Sequence, residues 1–263
     1  MQKWRVIVEE ESFGGWNMAV DEALLRSYRH GDAPIFRLYR WNPALTFGRY
    51  SKPAEALDLD SMKKYGVEGV RRITGGGILV HGGDISYSIV LPAAFAKRHG
   101  VKESYRLLCQ FLIRFYEKLG LPAGFAAQEG LPERRSPICL AGREAYDIVV
   151  GERKIGGNAQ RHTRTAMLQH GSIPLRYDKE RFETLFAEAS GFGESLSLET
   201  LGVVRCDEDL TPLLIEAFGK AMDADLFEDT MQREEEDLAD RLFETKYKTA
   251  EWNIDGKEPS EKA

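Results

Sequence analysis

Three consecutive glycines at 75–77 constrain this chain more than any other feature. They lie in the stretch Val70 to Val90, VRRITGGGILVHGGDISYSIV, between the strand-like runs Val67 to Ile73 and Ile85 to Leu91. Glycine gives up more backbone freedom on folding than any other residue, so such a run belongs where φ is positive or where a ligand must come close. Arg71 and Arg72 are expected to put positive charge at the mouth of this loop. By residue type alone, the segment reads equally as a glycine-rich hairpin between two core strands or as a binding loop. It is neither a Walker A loop, lacking the Gly-Lys-Ser/Thr ending, nor a Rossmann Gly-x-Gly-x-x-Gly.

The flanking sequence predicts a mixed α/β domain. A strand at Trp4 to Val8 precedes a helix that Asn17 can cap, with Asp21 and Glu22 in its first turns and Gly31 as its stop. Ile35 to Trp41 and Leu45 to Tyr50 read as strands joined into a hairpin by Asn42-Pro43-Ala44, and Asp58 to Tyr65 as a short helix ended by Gly66. Tyr105, Leu108, Leu112, Phe115 and Leu119 recur at helical spacing, with Cys109 on the same apolar face as a small buried hydrophobe. Leu121 to Pro137 has no period and reads as a long surface loop. Glu144 to Val150 and Lys154 to Gln160 form a hairpin around Gly151-Glu152-Arg153, and Thr165 to Leu175 is a further strand. Helices are expected at Lys179 to Ala187, Leu210 to Met222 and Met231 to Tyr247, with Glu234 to Asp237 as a solvated face and the last dozen residues as a frayed tail.

Composition narrows the function classes. A net charge of −6 over 263 residues argues against a dedicated nucleic-acid binder. No apolar run approaches the roughly eighteen residues of a membrane span, and Glu9-Glu10-Glu11 rules out a signal peptide, so the cytoplasm is the expected compartment. Cys109, Cys139 and Cys206 are widely spaced with no Cys-x-x-Cys, which leaves a thiol free for chemistry and predicts neither a disulfide framework nor a zinc site.

Arg71-Arg72-Ile73-Thr74-Gly75-Gly76-Gly77, with His81 and Asp84-Ile85-Ser86-Tyr87-Ser88 beyond it, resembles the signature loop of the biotin/lipoate protein ligase and transferase superfamily. Lys154-Ile155-Gly156-Gly157-Asn158-Ala159-Gln160 resembles its lysine motif, and Gln169-His170-Gly171-Ser172-Ile173 the strand that follows. The resemblance covers about residues 15 to 255. It implies a class II aminoacyl-tRNA synthetase/biotin synthetase-like fold, a mixed sheet flanked by helices. A single catalytic domain is then expected over residues 1–250, with core motifs at 30–210, a C-terminal helical part at 206–253 and a tail at 254–263. It also implies substrate contacts from Arg71, Arg72, Thr74, Gly75, Gly76, Gly77, His81, Gly157, Gln160, His170 and Gly171, with Lys154 at the acyl carbonyl.

Two chemistries belong to that superfamily. Octanoyltransferases take an acyl group from an acyl-carrier protein through a cysteine, without ATP or metal, and pass it to a lipoyl-domain lysine on glycine-cleavage H protein or a 2-oxoacid dehydrogenase E2. Lipoate ligases use ATP and Mg to adenylate a free acid. Cys139, seven residues before Tyr146 and upstream of Lys154, matches the nucleophile spacing of one transferase branch. Leu140 and Arg143-Glu144 depart from that branch, while Gly77 and Asp147 are ligase-like, Asp147 being a metal-site candidate only for a ligase. Glu244-Thr245-Lys246-Tyr247 and Glu251-Trp252-Asn253 match the segment closing the catalytic domain, leaving Ile254 to Ala263, well short of the roughly 40 residues of an accessory domain. The transferase is therefore the expected activity, the ligase the alternative, and an acyl-binding protein without catalysis the third reading. Physically, a thiol with a pKa of about 8.5 needs about 2 kcal/mol to be half ionised at neutral pH. One ammonium at about 4 Å in an effective dielectric near 20 supplies about 4 kcal/mol.

Overall fold

The segment Asp84–Pro92 reads DISYSIVLP, and its alternation sets the two faces of the sheet built around it. The computed structural model describes residues 1–133, 144–187, 195–203 and 207–259. In order these form β1 (Gln2–Ser12), α1 (Gly14–Ser27), β2 (Ile35–Trp41), β3 (Ala44–Phe47), α2 (Pro53–Ala56), α3 (Leu59–Lys64), β4 (Glu68–Arg71), β5 (Leu79–His81) and β6 (Asp84–Pro92). Next come α4 (Ala93–His99), α5 (Val101–Lys118), β7 (Ala123–Phe125), β8 (Ile148–Val150), β9 (Arg153–Lys154), β10 (Gly157–His162), β11 (Ala166–Pro174) and α6 (Lys179–Glu183). The last are α7 (Asp207–Met222), β12 (Ala224–Glu228), α8 (Arg233–Leu242), a π-helical turn Phe243–Tyr247 and α9 (Ala250–Asn253).

Among the described residues the main sheet is a mixed one of order β10-β11-β6-β2-β1-β12, with β1 parallel to both its neighbours and the other pairs antiparallel. Ile85, Tyr87, Ile89 and Leu91 of β6 join Phe36 and Leu38 of β2 on one face, beneath Leu108, Phe111 and Phe115 of α5 and Phe218 of α7. Phe36 stacks flat on Phe218 at 3.9 Å. The opposite face carries the polar residues of the same strands and is covered by α1 and by a smaller sheet of order β4-β3-β5. A third sheet, β7-β8-β9, stands beside them.

Several expectations are corrected. Ile35–Trp41 and Ala44–Phe47 are strands, but they belong to different sheets and form no hairpin, because the Asn42-Pro43 turn carries the chain from one layer to the other. The glycine segment is likewise no hairpin, since β4 pairs with β3 and β6 with β2 and β11. Helix α1 starts three residues before Asn17; its first N–H groups donate to the distant Glu68 carboxylate at 2.6 and 2.9 Å, while Asn17 holds Arg40 and Arg37. Ala123–Phe125 pairs with β8, so part of the expected loop is strand. Glu235 is buried rather than solvated, in a two-armed ion pair with Arg5 (2.6 and 2.9 Å). The expected frayed end is anchored through Glu258, because Trp252 and Asn253 are buried against Arg71.

Candidate active site

The polar face of the main sheet and the small sheet enclose a cavity with about 320 Å³ of empty space, its open mouth included. Met18, Tyr39, Trp41 and Thr46 are almost fully buried and make its floor, whereas Asn158 and Ala159 on edge strand β10 are half-buried and make its rim. His81, Arg72, Gly157, His170 and Gly171 line it between. Sequences 70–90 and 154–172 therefore meet at one hollow, although 63 residues separate them.

Two histidine–aspartate pairs flank the cavity. His81 Nδ1 lies 2.9 Å from Asp84, whose Oδ2 also accepts from Ser86 and Ser172. His81 Nε2 meets Thr46 at 2.9 Å, and Trp41 stacks on the imidazole at 4.0 Å. On the other side His170 Nδ1 lies 2.9 Å from Asp21 and Nε2 lies 2.7 Å from the Thr74 hydroxyl. Burial pushes the His170 pKa down against the pull of Asp21, so the ring is neutral, donates Nδ1–H to Asp21 and accepts from Thr74. Burial alone would raise Asp21, but the His170 N–H and the Arg37 charge outweigh it and keep the carboxylate ionised. Arg37 bonds Asp21 at 2.8 Å and pairs with Glu9, balancing a charge that could not otherwise stay inside.

Arg72 ties this frame to the glycine loop: it donates to the Thr46 carbonyl (3.0 Å) and to the carbonyls of Gly75 and Gly77 (both 2.9 Å). Gly76 has φ +98°, and a Cβ on Gly48 would come within 2.0 Å of the Gly76 carbonyl. The glycine requirement is thus met at Gly76 by conformation and at Gly48 by close approach, whereas Gly75 has open space where a Cβ would be. Thr74 and Gly75 to Gly77 shape the wall through these bonds and are not themselves among the lining residues.

Arg71 does not reach the cavity. It donates to the backbone carbonyls of Gly48, Arg49, Ser51, Trp252 and Ile254, and so binds the chain's last segment to the loop. The charge expected at the loop mouth is buried for both arginines, because backbone oxygens need those donors. Gln160 bonds Gln169 at 2.8 Å on the far side of the sheet, where Gln169 also donates to Tyr87 and to the Cys109 sulfur. Burial pushes the Cys109 thiol well up, so this cysteine is the inert hydrophobe the periodicity predicts. Gly171 is required by crowding: a Cβ there would lie 2.0 Å from Asn158 Oδ1.

Lys154, on β9 three residues before the lining residue Gly157, is not itself among the lining residues; it lies 2.7 Å from Asp147 Oδ2, and the same oxygen accepts the Glu144 N–H at 2.8 Å. Cys139 and Cys206 lie outside the described residues. Among the described residues no cluster of three or more His, Cys, Asp or Glu could hold a metal. Sequence reasoning passed over Asp21, Arg37, Thr46, Trp41 and Met18. The alternation of polar with apolar residues along Ile35–Trp41 would have flagged Arg37 and Tyr39, but nothing local marks α1 as a wall of the site.

A mixed sheet whose polar face, two His–Asp pairs and a glycine loop surround a cavity marks an α/β domain with a candidate site enclosed among its described residues. The profile of the lipoyl protein ligase A/B catalytic domain matches residues 14–203, and the chain belongs to that family. It is 32% identical to octanoyltransferase LipM of Bacillus subtilis (strain 168), over 96% of this chain and 99% of that one. It is 33% identical to octanoyltransferase LipM of Kyrpidia tusciae, with the same coverage. Among solved structures, lipoate-protein ligase A bound with ATP superposes with a TM-score of 0.84 at 30% identity, covering 97% of this chain and 99% of that one. A bi-partite lipoate protein ligase from Thermoplasma acidophilum, solved with its E2 lipoyl domain, gives 0.80 at 27% identity, covering 99% of this chain and all of that one.

Proposed function

We infer that this protein is an octanoyltransferase that moves an acyl group from an acyl-carrier protein, through a cysteine thioester, to a lysine of a lipoyl domain. The observation that carries the reading is its likeness, along nearly the whole of both chains, to octanoyltransferases. The cavity supports it: a partly apolar hollow of this size suits an eight-carbon chain, whose burial is worth about 0.8 kcal/mol per methylene. With the alkyl end toward Met18 and Trp41, the carbonyl lies toward the Gly157 to Ala159 rim, the side on which Lys154 precedes it in the chain.

The proposed nucleophile is Cys139. Its thiolate adds to the donor's thioester carbonyl, the carrier thiolate leaves and takes a proton, and an acyl-cysteine remains. The uncharged ε-amine of the acceptor lysine then adds to that carbonyl. An amide forms, the cysteine thiolate leaves, and the ammonium proton of the adduct passes to it or to solvent. In this reading the Lys154 ammonium stabilises the oxyanion of both additions. Both ring nitrogens of His81 and His170 are engaged, so neither imidazole can serve as base without giving up Thr46 or Thr74. The acceptor is the lipoyl domain of an E2 subunit or of glycine-cleavage H protein, and the cytoplasm is where such partners meet it.

The second reading, an ATP-dependent lipoate ligase, is favoured by the likeness to the ATP-bound ligase. Intact mass after incubation with octanoyl-carrier protein and no ATP separates the two. A gain of one octanoyl group, removed by hydroxylamine and absent in Cys139→Ala, is expected. No gain, with pyrophosphate released from ATP and lipoate instead, would make it a ligase.

A further inference from the structure

Edge strand β10 is bordered by cations that pair with no acid among the described residues. Lys97 and Arg98 on α4, Lys102 on α5, and Arg161 and Arg164 on β10 and its turn are exposed, and among the described residues none of them forms an ion pair. Elsewhere on the surface some cations are paired, Lys52 with Glu55, Lys118 and Lys220 with Glu216, Lys248 with Glu244 and Arg49 with Glu258, and others, such as Lys63, Lys64 and Arg114, form no ion pair among the described residues, so it is the clustering of this edge that sets it apart. Within 93–106 and 157–166 the only acid is Glu103, which Arg106 neutralises, so this edge is strongly basic in a chain of net charge −6.

Two contacts and the strand's own periodicity gather these residues into one surface. The Ala93 N–H donates to the Thr165 carbonyl at 3.0 Å, setting the start of α4 on the β10–β11 turn. Tyr105 donates to the Asn158 carbonyl at 3.4 Å, setting the first turns of α5 beside the cavity rim. Strand periodicity puts Arg161 on the same face as rim residue Ala159, about 7 Å further along.

We propose that this basic edge is the docking surface for the acyl donor's carrier protein, an acidic protein that presents its thioester on an arm joined through a phosphodiester. The proposal rests on the transferase reading. The arm's acyl end must enter at Gly157 to Ala159 while its phosphate stays outside, several residues away, and Arg161 and Arg164 lie along that line. The phosphodiester beside the thioester is an anion that the acceptor lysine does not bring, so the partner complementary to this edge is the donor.

The test compares wild type with Arg161→Glu/Arg164→Glu and, separately, Lys97→Glu/Arg98→Glu, all at exposed positions outside the cavity. For octanoyl-carrier protein, kcat/KM is expected to fall at least about tenfold in the first variant and to lose most of its salt dependence. With octanoyl-pantetheine, which lacks both protein and phosphate, the rates are expected to stay within about twofold of wild type. Unchanged kinetics with the carrier protein, equal loss with both donors, or a loss that follows the lipoyl-domain acceptor instead would each overturn the proposal. Binding of a carrier protein bearing a non-transferable octanoyl amide, followed by fluorescence anisotropy, reads the surface without turnover. Tight wild-type binding abolished by charge reversal sustains the surface even if transfer itself fails, whereas equal binding by all three proteins refutes it even if transfer is found.

Discussion

At the scale of single residues, Asp147 has the most to say about reactivity. Its carboxylate lies 2.7 Å from the Lys154 ammonium, so any neighbour of that lysine feels an ion pair rather than a bare charge. Cys139→Ala is expected to abolish transfer, with Cys109→Ala near wild type, as the rate of octanoylation will show. Lys154→Ala should raise the pH midpoint of Cys139 alkylation, and Asp147→Asn should lower it by removing a carboxylate that offsets the lysine charge; midpoints that stay put in both would mean another group activates the thiol. Thr74→Val removes the hydroxyl that His170 accepts from, and Thr74→Ser keeps it, so octanoyl transfer should fall in the first and recover in the second. Because burial holds the folded His170 below its ordinary 6.5, the unfolded chain takes up a proton first as pH drops. Stability is therefore full above about pH 7 and declines below 6.5, a fall in Tm that His170→Gln should flatten.

Elements show which signals a chain broadcasts and which it withholds. The alternation of β6, polar at Asp84, Ser86 and Ser88 and apolar between, is plain in the sequence and sets both faces of the sheet. The helical period of α5 is equally plain, and Cys109 sits where it predicts. His81, His170 and Gly171, which line the cavity, lie in motifs of unusual composition that stand out locally, whereas Gly75 to Gly77 shape its wall without lining it. Partnership between distant strands was not: β2 and β3 look like a hairpin because Asn42-Pro43 is turn chemistry, and nothing nearby says that the turn changes layer. Strand β12 escaped notice because ADLFE is short, mostly exposed and lies on the sheet's edge. Glu235 hid in an acidic run because its partner, Arg5, is 230 residues away. At this scale Gly171→Ala is expected to part β10 from β11, since its Cβ would meet Asn158 Oδ1 and the Gly157 carbonyl, costing about 2 kcal/mol or more in denaturant unfolding.

Across the whole molecule, the segment 246–254 braces the glycine loop from outside. Arg71 joins the carbonyls of residues 48 to 51 to those of Trp252 and Ile254, and Trp252 returns its indole N–H to the Arg71 carbonyl at 2.8 Å. Lys246 lies over the Trp252 ring at 3.7 Å and pairs with Glu22 on α1. Trp252→Ala should cost about 3 kcal/mol or more, seen as a lower midpoint in urea, and should weaken acyl-chain binding although no cavity residue has changed. There is a consequence in time. A ribosome adds roughly 5 to 20 residues each second, so the loop at 75 to 77 emerges roughly ten to forty seconds before the residues that brace it. Through that interval the nascent chain has its glycines but not their frame, and the loop is braced only once residues 246–254 have been made.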